Sequence, residues 1–137
     1  MHRDPCDTIP SGASLNATLW AMHMDDVDPA EVGRQWIERM GWTNDRALAT
    51  RAAWGNRPDL VTDVQYDDAV SDPHGQLDRI YRAVGIDRPH DVVVAQQAWL
   101  DGPRDAGRRP AYAAADFGLT DGQIRERFAD YEAAFRI

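Results

Sequence analysis

Apolar residues recur at helical spacing along most of this chain. Four stretches repeat them every three or four residues, as an amphipathic helix does: residues 5–24, 29–54, 73–84 and 89–100. A final helix is predicted to begin after Thr120, with Ile124, Phe128 and Tyr131 facing inward. The pattern therefore predicts a mainly helical protein.

Only one segment shows the alternating pattern of a β-strand. Residues 60–66 alternate apolar and polar side chains, and residues 1–3 offer at most a second, shorter strand. Two such strands cannot form an independently stable sheet. We therefore expect part of an α/β domain, mainly α on its own, with one or two short parallel strands.

Composition narrows the class of protein and of partner. The chain has 137 residues, 43% of them hydrophobic, so it can bury a core and fits within one domain. Its net charge of -8 argues against nucleic acid or an anionic membrane as a partner, because both require a basic face. The single Cys6 and the lack of a long apolar run predict a cytoplasmic protein.

Metal-binding and catalytic patterns are not recognisable in the sequence. The aspartates at 25, 26 and 28, and those at 63, 67 and 68, lack the glycine and terminal glutamate of a calcium loop. The four histidines are scattered, and Cys6 has no orienting pair at a known spacing. We predict neither a metal site nor a catalytic residue.

The first eleven residues form a candidate anion-binding corner. Asp4 is a plausible helix N-cap and Pro5 a first-turn proline, so Arg3 would stand at the positive end of a helix. Ser11 follows Arg3 by eight residues, an axial rise of about 12 Å. The two side chains could share one phosphate-containing ligand, although an arginine near a helix start is more often a surface residue.

Three segments, in order, resemble one family. The run VQYDDAVSDP at 64–73 resembles the strand, turn and helix in which sulfotransferases that use 3′-phosphoadenosine 5′-phosphosulfate (PAPS) carry a Y-E-D-L…D-P signature. The R-D-P at 3–5 with Ser11 is similar to that family's 3′-phosphate motif. GRRPAY at 107–112 and DFGL at 116–119, followed by a helix with RERF at 125–128 and Tyr131, resemble the C-terminal end of bacterial members.

The resemblance implies a cofactor site and a fold. Arg3 and Ser11 would bind the 3′-phosphate of PAPS, or of the product PAP, and Tyr66 would lie against the adenine. Arg108 and Arg109 would close on the same phosphate, although many members show a histidine and a glycine at positions 109 and 110. Tyr66 could equally be a half-buried aromatic at a strand end. The implied fold is the P-loop-like α/β fold of sulfotransferases.

One part of the family pattern is missing. Sulfotransferases carry an early glycine- and serine- or threonine-bearing loop around the 5′-phosphosulfate, and nothing in this sequence matches it. Residues 1–137 therefore resemble the C-terminal part of one sulfotransferase domain, truncated or split. Intact relatives transfer a sulfuryl group from PAPS to a hydroxyl or amine acceptor. We expect this chain alone to be inactive, because the donors that stabilise the transferring group are absent.

Two other interpretations remain open. The chain could be a non-enzymatic helical interaction module, or an inactive remnant of an enzyme. Its expected partners are a small nucleotide and either a missing N-terminal half or a second chain that covers the open edge of its strands.

Overall fold

The computed structural model describes residues 1–55, 57, 60–103 and 111–137. This part of the chain is helical, with short connections. Its α-helices, in chain order, are α1 (Pro5–Ala21), α2 (Pro29–Trp54), α3 (Tyr66–Ser71), α4 (Pro73–Ala83), α5 (His90–Asp101), α6 (Asp121–Arg127) and α7 (Ala129–Phe135). A 3₁₀ turn spans Ala114–Phe117.

The chain divides into two compact units, which are described separately. The α1 unit comprises Arg3–Gly55 and Pro110–Ile137, and contains α1, α2, the 3₁₀ turn, α6 and α7. The α4 unit comprises Met1–His2 and Asn56–Arg109, and contains α3, α4 and α5.

The two long helices of the α1 unit begin at the residues that their caps predict. The side chain of Asp4 accepts a hydrogen bond from the Cys6 amide at 2.7 Å, and Asp28 does the same for Ala30 at 3.0 Å. A proline follows each cap at the first helical position, where its missing N–H removes no helical bond. Both helix predictions are confirmed.

The core of the α1 unit lies between α1, α2 and the C-terminal segment. Its buried side chains form two clusters: Ile9, Ile37, Ala114, Leu119, Ile124 and Phe128 in one, and Ala13, Val32 and Phe117 in the other. The C-terminal helix predicted after Thr120 is confirmed, since Thr120 caps α6 through the Gln123 amide at 3.2 Å. It is divided at Phe128, however, where α6 ends and α7 begins.

Glycines on α2 allow two residues of the C-terminal segment to approach closely. A Cβ atom on Gly33 would contact the Phe117 carbonyl oxygen and lie 2.8 Å from the Phe117 Cβ. A Cβ atom on Gly41 would lie within 2.6 Å of the Arg127 guanidinium nitrogen Nη2. A larger residue at position 33 would force the segment away from α2, whereas one at position 41 would displace the Arg127 guanidinium.

The predicted strand at 60–66 is wrong in extent. Among the described residues, the pairing reduces to one isolated parallel bridge between His2 and Gln65. The His2 amide donates to the Val64 carbonyl, and the Tyr66 amide donates to the His2 carbonyl, both at 2.8 Å. Tyr66 then begins α3, whose first turn contains two aspartates that favour a helix N-terminus. The short parallel strands expected from the sequence are not formed.

Helices α4 and α5 of the α4 unit confirm the sequence predictions. Asp72 caps α4 by accepting from the Gly75 amide at 2.9 Å, and Gly85 follows its end with a φ of 70°. The Arg88 side chain, only 7% exposed, lies against both helices. Its Nε is 3.1 Å from Asp78 on α4, and its Nη1 donates to Gln96 on α5 at 3.3 Å.

Replacing Gly33 with alanine should destabilise the protein. We expect Gly33→Ala to lower the free energy of unfolding by about 1–3 kcal/mol, because the added methyl overlaps Phe117. Gly122→Ala is the matched control, since its Cβ would meet only the Thr120 hydroxyl, at 3.8 Å. The control should be neutral or gain up to about 1 kcal/mol from helix propensity. Urea denaturation measures both, and equal stabilities would contradict the packing described here.

Candidate functional site

The N-terminal end of α1 contains the first two predicted site residues. Arg3 precedes the N-cap, and Ser11 lies on the second turn of the helix with an exposed side chain. Asp7 and Ser11 are four residues apart on α1, so they lie on one face of the helix. Arg3 precedes the helix and donates to Asp7, and all three side chains are exposed.

Asp7 lies between Arg3 and Ser11 in the chain. Arg3 donates to the Asp7 carboxylate from Nε at 3.4 Å and from Nη2 at 3.3 Å. The side chains are 40% and 60% exposed, so the ion pair is solvated and weak. An incoming phosphate dianion can therefore compete with Asp7 for the guanidinium, whose planar donors match phosphate oxygens in pairs.

The backbone at this end of α1 is fixed by Asp4 and by contacts from α6. One Asp4 oxygen caps the Cys6 amide, and the other lies 3.4 Å from Nη2 of Arg125. The Cys6 thiol points toward the Asp121 carbonyl at 3.9 Å. Burial, followed by the charge of Asp4, raises the pKa of Cys6 to about 11. The thiol is therefore protonated at neutral pH, and Cys6 packs against the buried cluster that contains Ile9.

Tyr66 belongs to the α4 unit, where it is half-buried. Its backbone is held by the bridge to His2, and the His2 imidazole contacts Asp63 through Nε2 at 2.7 Å. The His2 side chain is 11% exposed and that of Asp63 is 40% exposed. Sequence reasoning missed this pair, because 61 positions separate its members and neither belongs to a motif.

The remaining predicted site residues, Arg108 and Arg109, lie outside the described residues. Their role stays a prediction. Among the residues that the structure does describe, no group of three or more His, Cys, Asp or Glu side chains is placed to hold a metal ion. In the same part of the chain, no helix is both long and apolar enough to cross a membrane.

A depression of about 620 Å³ lies elsewhere in the α1 unit, between α2, α6 and α7. Neither Arg3 nor Ser11 lines it. Four carboxylates and two guanidinium groups do: those of Glu38, Asp45, Glu126, Asp130, Arg34 and Arg127. The Arg127 Nη2 atom lies 2.8 Å from an Asp45 carboxylate oxygen. Because the carboxylates outnumber the guanidinium groups, the depression is unsuited to a phosphate group.

Comparison with known proteins identifies the family. The family model described as "Sulfotransferase family" matches residues 1–90. The chain belongs to the sulfotransferase family. A search of curated protein sequences gives no significant match.

One solved structure resembles this sulfotransferase-family chain closely. The crystal structure of sulfotransferase STF9 from Mycobacterium avium matches it with a TM-score of 0.85 and 26% sequence identity. The match covers 99% of this chain and 35% of the mycobacterial one, so the chain spans about a third of that relative's length. The helical arrangement described above is thus part of a sulfotransferase fold. Its assignment to the C-terminal part of the domain stays a prediction.

Cys6 should react slowly with alkylating reagents. With its pKa at about 11, only about one thiol in a thousand is ionised at pH 8. The rate of iodoacetamide alkylation should therefore keep rising up to pH 11. A free thiol such as glutathione is the control, and its rate should level off at lower pH. A plateau for Cys6 below pH 9 would show that Asp4 and burial do not act on the thiol as described.

Proposed function

We propose that this chain binds the 3′-phosphoadenosine end of PAPS or PAP. The observation that supports the proposal is the exposed Arg3 at the positive end of α1, in contact with Asp7 one helical turn before the exposed Ser11, in a chain of the sulfotransferase family. A guanidinium group, a hydroxyl donor and a helix N-terminus are the groups that a phosphate dianion prefers. In this proposal, these residues fit the 3′-phosphate in kind.

Tyr66 and the two arginines at 108 and 109 enter the proposal through the sequence resemblance alone. A tyrosine ring can contact a purine, and arginines in a loop can cover a phosphate. Within this proposal, Tyr66 contacts the adenine, and Arg108 with Arg109 complete the contacts to the 3′-phosphate.

When bound, PAPS supplies the sulfuryl group that relatives transfer to a hydroxyl or amine acceptor. The residues of this chain would hold and orient its 3′-phosphate end. We expect no sulfuryl transfer by the chain alone, because the sequence contains nothing similar to the loop that surrounds the 5′-phosphosulfate in the family. In this proposal, the chain binds the cofactor, and sulfuryl transfer would require the 5′-phosphosulfate loop found in relatives.

The second candidate function is a helical interaction module. It is favoured by large apolar side chains on the surface of the α4 unit, where Val84 is 62%, Val94 is 54% and Trp99 is 77% exposed. A partner chain, or the remainder of a sulfotransferase fold, would cover such residues. This function requires no nucleotide, so binding measurements separate the two candidates.

Arg3→Ala and Ser11→Ala should weaken binding of adenosine 3′,5′-bisphosphate, measured by isothermal titration. We expect about a 10- to 100-fold loss for Arg3→Ala and a smaller loss for Ser11→Ala, since each change removes bonds to a charged group. Adenosine 5′-monophosphate lacks the 3′-phosphate, so its affinity should change little in either variant.

Arg34→Gln is the control for the loss of one surface cation, because Arg34 pairs locally with Glu31 on α2. It should bind both nucleotides as the unmodified chain does. If the unmodified chain bound neither nucleotide, or if Arg3→Ala bound the bisphosphate normally, the cofactor site would be excluded.

Tyr66→Ala should weaken binding of the bisphosphate and the monophosphate equally, because the adenine is common to both. We expect about a tenfold loss for each, which is typical of a lost aromatic contact with a base. Tyr66→Phe keeps the ring and should retain most of the affinity. A loss confined to the bisphosphate would assign Tyr66 to the phosphate instead of the base.

A further inference from the structure

Arg125 on α6 contacts the N-terminal end of α1 although 121 positions separate it from Asp4. Its Nη2 lies 3.4 Å from the second oxygen of the Asp4 carboxylate. Its Nη1 donates to Glu132 on α7 at 3.0 Å, and Glu132 is only 17% exposed. The guanidinium is therefore oriented from both sides, with one edge directed at the helix cap.

Asp4 has two opposed effects at this end of α1. Its carboxylate caps the helix by accepting from the Cys6 amide at 2.7 Å, which stabilises the first turn. Its negative charge also lies at the helix end where the proposed phosphate would bind, and like charges repel. An anion site at this end thus requires that the Asp4 charge be offset without loss of the cap.

We propose that Arg125 is a positioning residue for the 3′-phosphate site: by neutralising Asp4, it keeps the N-terminal end of α1 attractive to an anion. This inference rests on the proposed nucleotide binding. The thiol of Cys6 reports the same balance of charge, because Asp4 raises its pKa and Arg125 lowers it. Arg125 lies in the C-terminal helix whose sequence resembles that of bacterial sulfotransferases, and the resemblance implies no role for it at the cofactor site.

The fold of the α1 unit does not depend on this ion pair. Ile9 of α1 and Ile124 of α6 are 3% and 0% exposed and belong to the same buried cluster. Arg125 is 52% exposed, and exposed ion pairs contribute little to stability. Arg125→Gln is therefore expected to fold, and the effect of the substitution on binding can be measured directly.

The test is a double-mutant cycle with Asp4→Asn, measured by titration with adenosine 3′,5′-bisphosphate. Asparagine can still cap the helix but carries no charge. Arg125→Gln alone should weaken binding about 5- to 20-fold, whereas in the Asp4→Asn background it should change affinity by less than about twofold. Arg125→Lys should restore most of the affinity, and Arg34→Gln should have no effect. The alkylation profile of Cys6 should shift to higher pH in Arg125→Gln and to lower pH in Asp4→Asn.

Three results would overturn the inference, and they differ from failure of the proposed function. Unchanged affinity in Arg125→Gln, with normal binding by the unmodified chain, would show that Arg125 plays no part in the site. An equal loss in both backgrounds would indicate a direct ligand contact or a structural role. If Arg125→Gln leaves the pH dependence of Cys6 alkylation unchanged, the charge effect is excluded by a measurement that needs no ligand. If the unmodified chain fails to bind the bisphosphate, the proposed function fails first, and this inference with it.

Discussion

The α1 unit depends on the close approach of its C-terminal segment to one face of α2. Gly33, Ile37 and Gly41 repeat at four-residue intervals along that face, so a large buried side chain stands between two glycines. Phe117 packs over Gly33, and the Arg127 guanidinium lies over Gly41. Because a side chain at position 33 would overlap the Phe117 backbone, Gly33 sets the distance between the two segments, and Gly41 leaves room for the Arg127 guanidinium.

This approach also determines what surrounds the N-terminal end of α1. Phe117 lies shortly before α6, and Arg127 is the last residue of α6, so the two contacts with α2 flank this helix. Ile124, between them, is fully buried with Ile9 of α1. Arg125 follows Ile124 in the chain and therefore reaches the α1 cap, while Glu132 on the next helix holds its other edge. The packing of the C-terminal segment against α2 thus places the Arg125 guanidinium at the N-terminal end of α1.

The sequence predicts those parts of the fold that depend on neighbouring residues. Caps such as Asp4, Asp28, Asp72 and Thr120 act within three residues, so the starts of α1, α2, α4 and α6 follow from local chemistry. The prediction of a strand at 60–66 was wrong because alternating apolar and polar residues indicate only the two faces of a strand. The alternation does not supply the neighbouring strand with which this segment would have to pair. Among the described residues, the one backbone bridge to this segment comes from His2, and the acidic first turn after Gln65 favours a helix instead.

The same distinction applies to the candidate site. Arg3 and Ser11 could be proposed from the sequence because one short motif spans both, whereas Arg125 comes from the other end of the chain, in a segment whose family resemblance implies no role at this site. In the proposed anion site, the pairing of Arg125 with Asp4 makes an aspartate cap compatible with a bound phosphate. A serine cap would avoid the negative charge but would leave Arg125 without this carboxylate partner. The aspartate forms a charge-assisted bond to the helix amide, and the arginine offsets its field, so the cap and the attraction for phosphate can coexist.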